Sequence, residues 1–394
     1  MQQGQTYLGE FTFINKSSWC EIETIVDKYS GTKINRLVAK INNQADIRMA
    51  YTIGEGLKIS NSDKKKNNPL GEFLGLEQGN LEEVKSFIDK YGFFYNVSSD
   101  DFFLVNIDEL FNIQERLQAF IILINNQVDL SPDFDELFGS IIYLLLKKYD
   151  TFSSQYSSQL LPTDSDLKKL LESSITPLSK DHNLAEPVTK DGFTQIIFTR
   201  YAKSLGRNVE MDLQAIQDIV NDEETPYWCK SILSLFFSLD NLDFSTELKE
   251  KIDFLFGCIY LVDPFNIDDL KLKEVSNIKQ DIDLSTNPYF VDSLYSISKL
   301  LITEEFDRCL SDVKFTYNTS TMTPDWELPS LIGALYFSIF YQNSKNTIYR
   351  VCANDNCNQY FQVSKTNSTK IHCCDNCREN KNARNLRARK KQGK

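Results

Sequence analysis

Five cysteines fall within the last fifty residues of this 394-residue chain, and their spacing is that of metal ligands. Cys352-x4-Cys357 makes one pair. Cys377 closes a second with either Cys373 or Cys374, and His372 is a further donor beside them. Two thiolates three to five residues apart can aim both sulfurs at one point, and a loop that returns a second pair completes a tetrahedron suited to zinc. Four sulfurs leave no open coordination position. The expected Zn2+ is therefore structural, folding a module too small to fold alone. Two disulfides are the alternative, but nothing in the chain points to the oxidising compartment they need.

These ligands need elements to hold them. Thr347 to Val351 reads as a short strand leading into the first pair, Tyr360 and Phe361 as a minimal apolar core, and Arg378 to Lys391 as a basic helix. If that helix starts near Asp375, Cys377 lies in its first turn, where the amide dipoles favour a thiolate. Arg350, Lys370 and Arg378 are close enough in sequence to offset residual charge. Strand, knuckle, loop and knuckle-on-helix outline a treble-clef-like zinc finger over residues 346–394. On its helix, Arg378, Lys381, Asn385 and Arg389 share one stripe at helical spacing. Arg384, Arg387 and Lys391 make a second, with Lys390 counted among them. Two stripes suit the straddling of phosphates, while Asn385 or an arginine can read a base edge.

The charge of the chain is divided. The total is −12, yet from Lys345 onward twelve Lys/Arg face only Asp355, Asp375 and Glu379, a balance of +9 that leaves −21 on the preceding 344 residues. Four thiolates and one Zn2+ lower the tail to about +7, still opposite in sign to the body. Such a split implies a device that touches a polyanion with one end; the alternative is a basic tail that pairs with its own acidic body. Composition is that of a soluble protein, with 41% hydrophobic and 25% charged residues. The N-terminus shows no signal-peptide pattern. The longest uncharged apolar run, Leu331 to Tyr341, is well short of the ~20 residues that span a bilayer. A cytoplasmic protein without membrane contact is expected. Cys20, Cys229, Cys258 and Cys309 sit among apolar residues, as buried free thiols do.

Patterning predicts a mainly α fold with a small N-terminal α/β region (1–68), a helical body (69–345) and the finger (346–394). Tyr7 to Phe13 alternates like a strand. Ser18 can cap a helix through Trp19, Ile22, Ile25, Val26 and Tyr29, closed by Gly31. Met49 to Ile53 reads as strand, Gly54-Glu-Gly56 as a turn and Asn61 to Asn68 as an exposed loop. Asn80 to Gly92 is a complete short helix: Asn80 caps it, Glu83 can reach back, and Val84, Phe87, Ile88 and Tyr91 form one face. Longer helices follow through Leu110–Ile124 and from Ser131-Pro132 through Leu145. Residues 164–310 read as mainly helical, with apolar stretches suited to the middle of a bundle. Val313 to Tyr317 reads as a strand. Pro324 introduces an apolar helix through Leu328, Leu331, Leu335 and Ile339, and Asn343 to Asn346 hinges it to the finger.

Two stretches resemble a bacterial family, the CGNR zinc-finger proteins with an ABATE-like N-terminal domain. One is the module itself, in the order Arg350-x-Cys352, Cys357, Phe361, His372-Cys373-x3-Cys377 and an Arg-rich helix. The other is Phe73-Leu-Gly-Leu76 followed by Phe87-Ile-Asp-Lys-Tyr-Gly92, similar to that family's entry into its helical part. Together they cover about a fifth of the chain. The resemblance implies Cys373 rather than Cys374 as the third ligand, since related fingers place Ser at the latter position. It also implies a DNA-binding finger on a regulatory protein. The eponymous Cys-Gly-Asn-Arg stands here as Cys377-Arg378-Glu379-Asn380, followed by Lys381.

Catalysis has little to draw on. His182 and His372 are the only histidines, and no Walker loop, HExxH or Arg-x4-6-His signature occurs. Asp222-Glu-Glu224 and Asp268-Asp269 read as solvated loop charge. The expected function is therefore a nucleic-acid-binding regulator acting on double-stranded DNA, not an enzyme. One small finger confers limited specificity, which dimerisation through the helical body would improve. The alternative is an interaction protein or phage-defence effector whose finger binds protein or RNA.

Overall fold

The computed structural model describes residues 10–52, 56–60, 68–97, 101–127, 132–147, 184–190, 192–261, 286–319, 322–341, 347–364 and 369–392, with isolated positions near 170 and 271. The loops read at 54–55, 61–67 and 150–165, His182, most of the acidic stretch 263–285 and the hinge at 343–346 lie outside them.

A long antiparallel hairpin opens the chain, strand β1 (Glu10–Val26) pairing with β2 (Lys33–Thr52) around a turn in which Gly31 takes φ +69°. This overturns the helix read over Trp19 to Tyr29. The misleading feature is a β-bulge, where the register shifts between Lys16 and Ser17. Before it, Phe11, Phe13 and Asn15 face inward; after it, Ser18 and Cys20 do. The register steps from Lys16–Asp46 to Ser17–Asn42, passing over Asn43, Gln44 and Ala45 of β2; this odd offset flips the parity of the period-two pattern in β1, leaving apolar positions at spacings that mimic a helix. The distal stretch is rich in β-branched residues, and Ile22 and Ile25 pair with Leu37 and Ile34. Strands β3 (Gly56–Ile59) and β4 (Phe103–Leu104) also pair with β2.

Three further antiparallel sheets make the described fold mixed α/β, and the mainly α expectation is corrected accordingly. Strands β5 (Ala185–Lys190), β6 (Phe193–Ala202) and β7 (Arg207–Asp212) form a meander inside the region read as helical. Its local propensity was available in the run Thr194-Gln-Ile-Ile-Phe-Thr199, with Gly192 (φ +82°) turning β5 into β6. Strands β8 (Lys314–Asn318) and β9 (Thr323–Glu327) form a hairpin, as do β10 (Thr347–Val351) and β11 (Tyr360–Ser364). Pro324 lies in β9 opposite Tyr317 rather than at the start of a helix.

The chain forms two compact units. The first comprises Met1–Ile121, Asp150–Pro162 and Glu305–Lys394. In it, helix α1 (Pro69–Leu74) precedes α2 (Leu81–Tyr91), which Asn80 caps and whose buried face is Val84, Phe87, Ile88 and Tyr91. Glu83 accepts from the Glu77 amide rather than reaching back to Asn80. Gly92 ends α2 at φ +82°, and a Cβ there would overlap the Lys16 carbonyl oxygen. β1 beside the register break is the seat for this helix end: Asn15 Nδ2 donates to the carbonyls of Tyr91 (2.8 Å) and Phe93 (2.9 Å). Helix α3 (Ile107–Asn126) carries Arg116, whose guanidinium meets Glu305 at 2.8 Å with both side chains buried, and the Tyr336 hydroxyl donates to the same carboxylate.

The second unit comprises Ile122–Tyr149 and Thr163–Glu304. It contains α4 (Phe134–Leu146), capped by Asp133, the β5–β7 meander, α5 (Leu213–Asn221), α6 (Tyr227–Ser238), α7 (Thr246–Leu261) and most of α8 (Pro288–Cys309). Stacked Phe236 and Phe256 (3.7 Å) and Phe254 and Phe290 (5.5 Å) mark its core. In the first unit, Ser330 caps α9 (Leu331–Phe340), buried from Leu331 to Ile339. Helix α10 (Asp375–Gln392) ends the chain. No helix among the described residues is long and apolar enough to cross a membrane.

Candidate metal centre

The hairpin β10–β11 brackets the first knuckle. Cys352 N–H donates to the Gln359 carbonyl at 3.0 Å and Cys357 N–H to the Asn354 carbonyl at 2.7 Å, closing a tight turn that aims both sulfurs the same way. Phe361 and Val363 are buried beneath it with Ile348 and Tyr349. The returning loop is tied in where Ala353 N–H donates to the Ile371 carbonyl (2.8 Å), delivering Cys373 just before α10 and Cys377 in its first turn.

The sulfurs of Cys352, Cys357, Cys373 and Cys377 all lie within 4.8 Å of one another, so these four could hold a metal ion. Cys373 Sγ stands 3.7 Å from Cys357 Sγ and 3.5 Å from Cys377 Sγ. Cys374 is exposed and outside this group, its sulfur 3.8 Å from that of Cys373. His372 is likewise outside it. Burial first, and then the adjacent sulfurs of Cys377 and Cys357, push the Cys373 thiol up, and burial pushes Cys377 up to about 11. Burial also raises Cys352, but hydrogen bonds from the Cys373 and Asn354 amides outweigh it and hold this thiol below its ordinary value. Crowded thiols of this kind ionise together only when a cation binds them. The scattered cysteines behave differently: burial pushes Cys20 and Cys229 up to about 12, and Cys258 is buried as well.

The basic residues of α10 do not act as a uniform stripe. Lys381 Nζ pairs with the Asp355 carboxylate at 2.5 Å, holding that carboxyl below its usual range. Arg384 donates to Asn356 Oδ1 at 2.6 Å and to Asn354 Oδ1. Both cations therefore fasten the helix to the first knuckle. Arg378 is exposed and paired with Asp375 at 3.1 Å, and Asn385 and Arg387 are exposed. The side chains of Arg389, Lys390 and Lys391 lie outside the described residues. Sequence reasoning missed Asn354, Asp355 and Asn356 as anchors of the helix. Their only signal was three consecutive Asx residues inside the Cys352-x4-Cys357 spacing, a composition typical of any turn.

The finger also rests on α1. Asn68, which caps α1 by accepting from Gly71 N–H, donates to the Tyr360 carbonyl at 2.9 Å. Gly75 lies so close to Asn358 that a Cβ would stand 2.7 Å from its carbonyl oxygen. No family model, curated protein or solved structure matches the chain.

Proposed function

We propose that Cys352, Cys357, Cys373 and Cys377 hold one structural Zn2+, and that helix α10 engages nucleic acid, double-stranded DNA foremost, on a cytoplasmic regulatory protein of the kind the CGNR resemblance implies. The observation that carries this reading is the convergence of four sulfurs at the first turn of a helix with seven Lys/Arg against two acidic residues. Around tetrahedral zinc with 2.3 Å bonds, sulfurs stand about 3.8 Å apart. The separations of 3.5 and 3.7 Å fit that cage. Thiolate donors are soft, which favours zinc over magnesium or calcium.

On this reading the metal does no chemistry. It pins α10 to the knuckle, and Lys381 and Arg384 complete the attachment. Arg378 and Arg387, with Arg389, Lys390 and Lys391 toward the end of the helix, supply the charge that meets phosphates, and Asn385 is the candidate for a base edge. The acidic remainder of the chain is repelled by the same polyanion, which confines the contact to the tail. The full-length chain is the right material for the test, because the finger is fastened to α1. Elemental analysis should find one zinc per chain, and a mobility-shift titration should show affinity falling steeply with salt. A metal-free chain with an ordered C-terminal end, or one indifferent to both DNA and RNA in dilute buffer, ends this reading.

A further inference from the structure

All nine cysteines of the chain are among the described residues, and Cys374 alone is exposed. Cys20, Cys229 and Cys258 are buried, Cys309 is half-buried, and the four of the metal site are buried or half-buried. An oxidant arriving from solvent therefore meets Cys374 first.

Two sulfurs lie beside it. Cys373 Sγ is 3.8 Å away, but the two residues are adjacent in the chain. Adjacent Cα atoms stand about 3.8 Å apart across a trans peptide, below the ~4.4–6.8 Å that a disulfide ordinarily spans. Cys377 is the better partner. Arg378 N–H donates to the Cys374 carbonyl at 3.3 Å, the first intrahelical bond of α10, so Cys374 is the N-cap and Cys377 the third residue of the helix. Side chains three apart in a helical turn are neighbours, and these two thiols are in hydrogen-bond contact. Cys374-Asp375-Asn376-Cys377 thus places the Cys-x-x-Cys spacing at a helix N-terminus, an arrangement that supports reversible disulfides.

We propose that Cys374 and Cys377 form a reversible redox pair, and that a hydroperoxide closing this pair dismantles the four-sulfur site. The inference rests on the metal reading given above. The Cys374 sulfur attacks the O–O bond and keeps one oxygen as the hydroxyl of a sulfenic acid. The other oxygen leaves as alcohol or water, carrying the thiol proton. The Cys377 sulfur then displaces that hydroxyl as hydroxide, forming the S–S bond. The cysteines lose two electrons in all, and the hydroperoxide gains them. Cys377 then has no thiolate to give, and Cys352, Cys357 and Cys373 are too few to close a tetrahedron. A thiol reductant reverses the link by exchange.

Hydrogen peroxide, added in one equivalent to the full-length chain, tests this. Alkylation followed by peptide mass spectrometry maps the disulfides, and a chromogenic metal indicator reads zinc release. A Cys374–Cys377 link should form in step with the loss of one zinc per link, and dithiothreitol with added zinc should reverse both. Cys374→Ser should keep its zinc under the same treatment. Zinc loss as fast in Cys374→Ser as in the wild type, links confined to Cys352, Cys357 and Cys373, or no link at all overturns the proposal. Elemental analysis of untreated protein keeps the two readings apart: zinc present without the link refutes the redox pair alone, whereas zinc absent refutes the metal site and its dismantling with it.

Discussion

Asn68 and Tyr360 stand 292 positions apart in the chain, yet the Asn68 side-chain amide donates to the Tyr360 carbonyl at 2.9 Å. The same asparagine caps α1, so the start of that helix and the second strand of the finger share one residue. The cysteine module is thus built onto a helix specified nearly three hundred residues earlier.

Gly71 keeps this junction open, because a Cβ there would overlap the Tyr360 carbonyl oxygen and the Asn68 amide. Alanine in a helix is otherwise favoured over glycine by about 1 kcal/mol. The clash with backbone outweighs that gain, and Gly71→Ala should destabilise the docked finger by about 2 kcal/mol. Hydrogen exchange should show faster amides across β10 and β11, with those of unit 2 unchanged.

Removing a ligand and removing its neighbour should differ. Cys373→Ser is expected to lose the bound metal and the exchange protection of α10, whereas Cys374→Ser should retain one equivalent of metal. Elemental analysis of the two purified variants decides between them. Loss of metal in Cys374→Ser with retention in Cys373→Ser would place Cys374, not Cys373, in the ligand set.

The salt dependence of nucleic-acid binding should separate the cations of α10 by role. Arg387→Ala should reduce the slope of log K against log salt by about one for each phosphate it no longer neutralises. Lys381→Ala and Arg384→Ala should act chiefly by loosening α10 from Asp355, Asn354 and Asn356, lowering the melting temperature of the metal-loaded finger. A larger slope change in Lys381→Ala than in Arg387→Ala would reverse these roles.

The buried pair of Arg116 and Glu305 predicts an asymmetric response. Their side chains are 7% and 3% exposed, and Tyr336 donates to Glu305 at 2.8 Å. Glu305→Leu leaves a guanidinium buried without its carboxylate and should cost about 3–5 kcal/mol. The double variant Arg116→Met, Glu305→Leu should recover most of that loss, measured by urea unfolding.

Burial holds the Asp253 carboxyl above the ordinary carboxylate range, against opposing hydrogen bonds from the Ser204 and Lys203 amides. A carboxyl raised on folding contributes stability that is full below its unfolded pKa and is lost as pH rises through the folded value. Asp253→Asn removes that pH dependence along with one acceptor oxygen. The variant should be less stable at about pH 4, and its deficit should narrow towards about pH 7. A constant gap in urea midpoints across that range would contradict the shift.

Some of this molecule was legible without its tertiary structure. The cysteine spacing is a local record of ligand geometry, and the Asn80–Gly92 helix carries its own cap, apolar face and terminating glycine. The charge division is a matter of composition. What the chain order could not reveal depends on partners distant in sequence. The bulge at Lys16/Ser17 exists in the pairing of β1 with β2 and reverses which residues face inward. The β5–β7 meander stabilises as a sheet only once its strands pair. Lys381 and Arg384 turn towards the knuckle because Asp355 and its Asn neighbours are folded beneath them, a choice that helical periodicity alone does not contain.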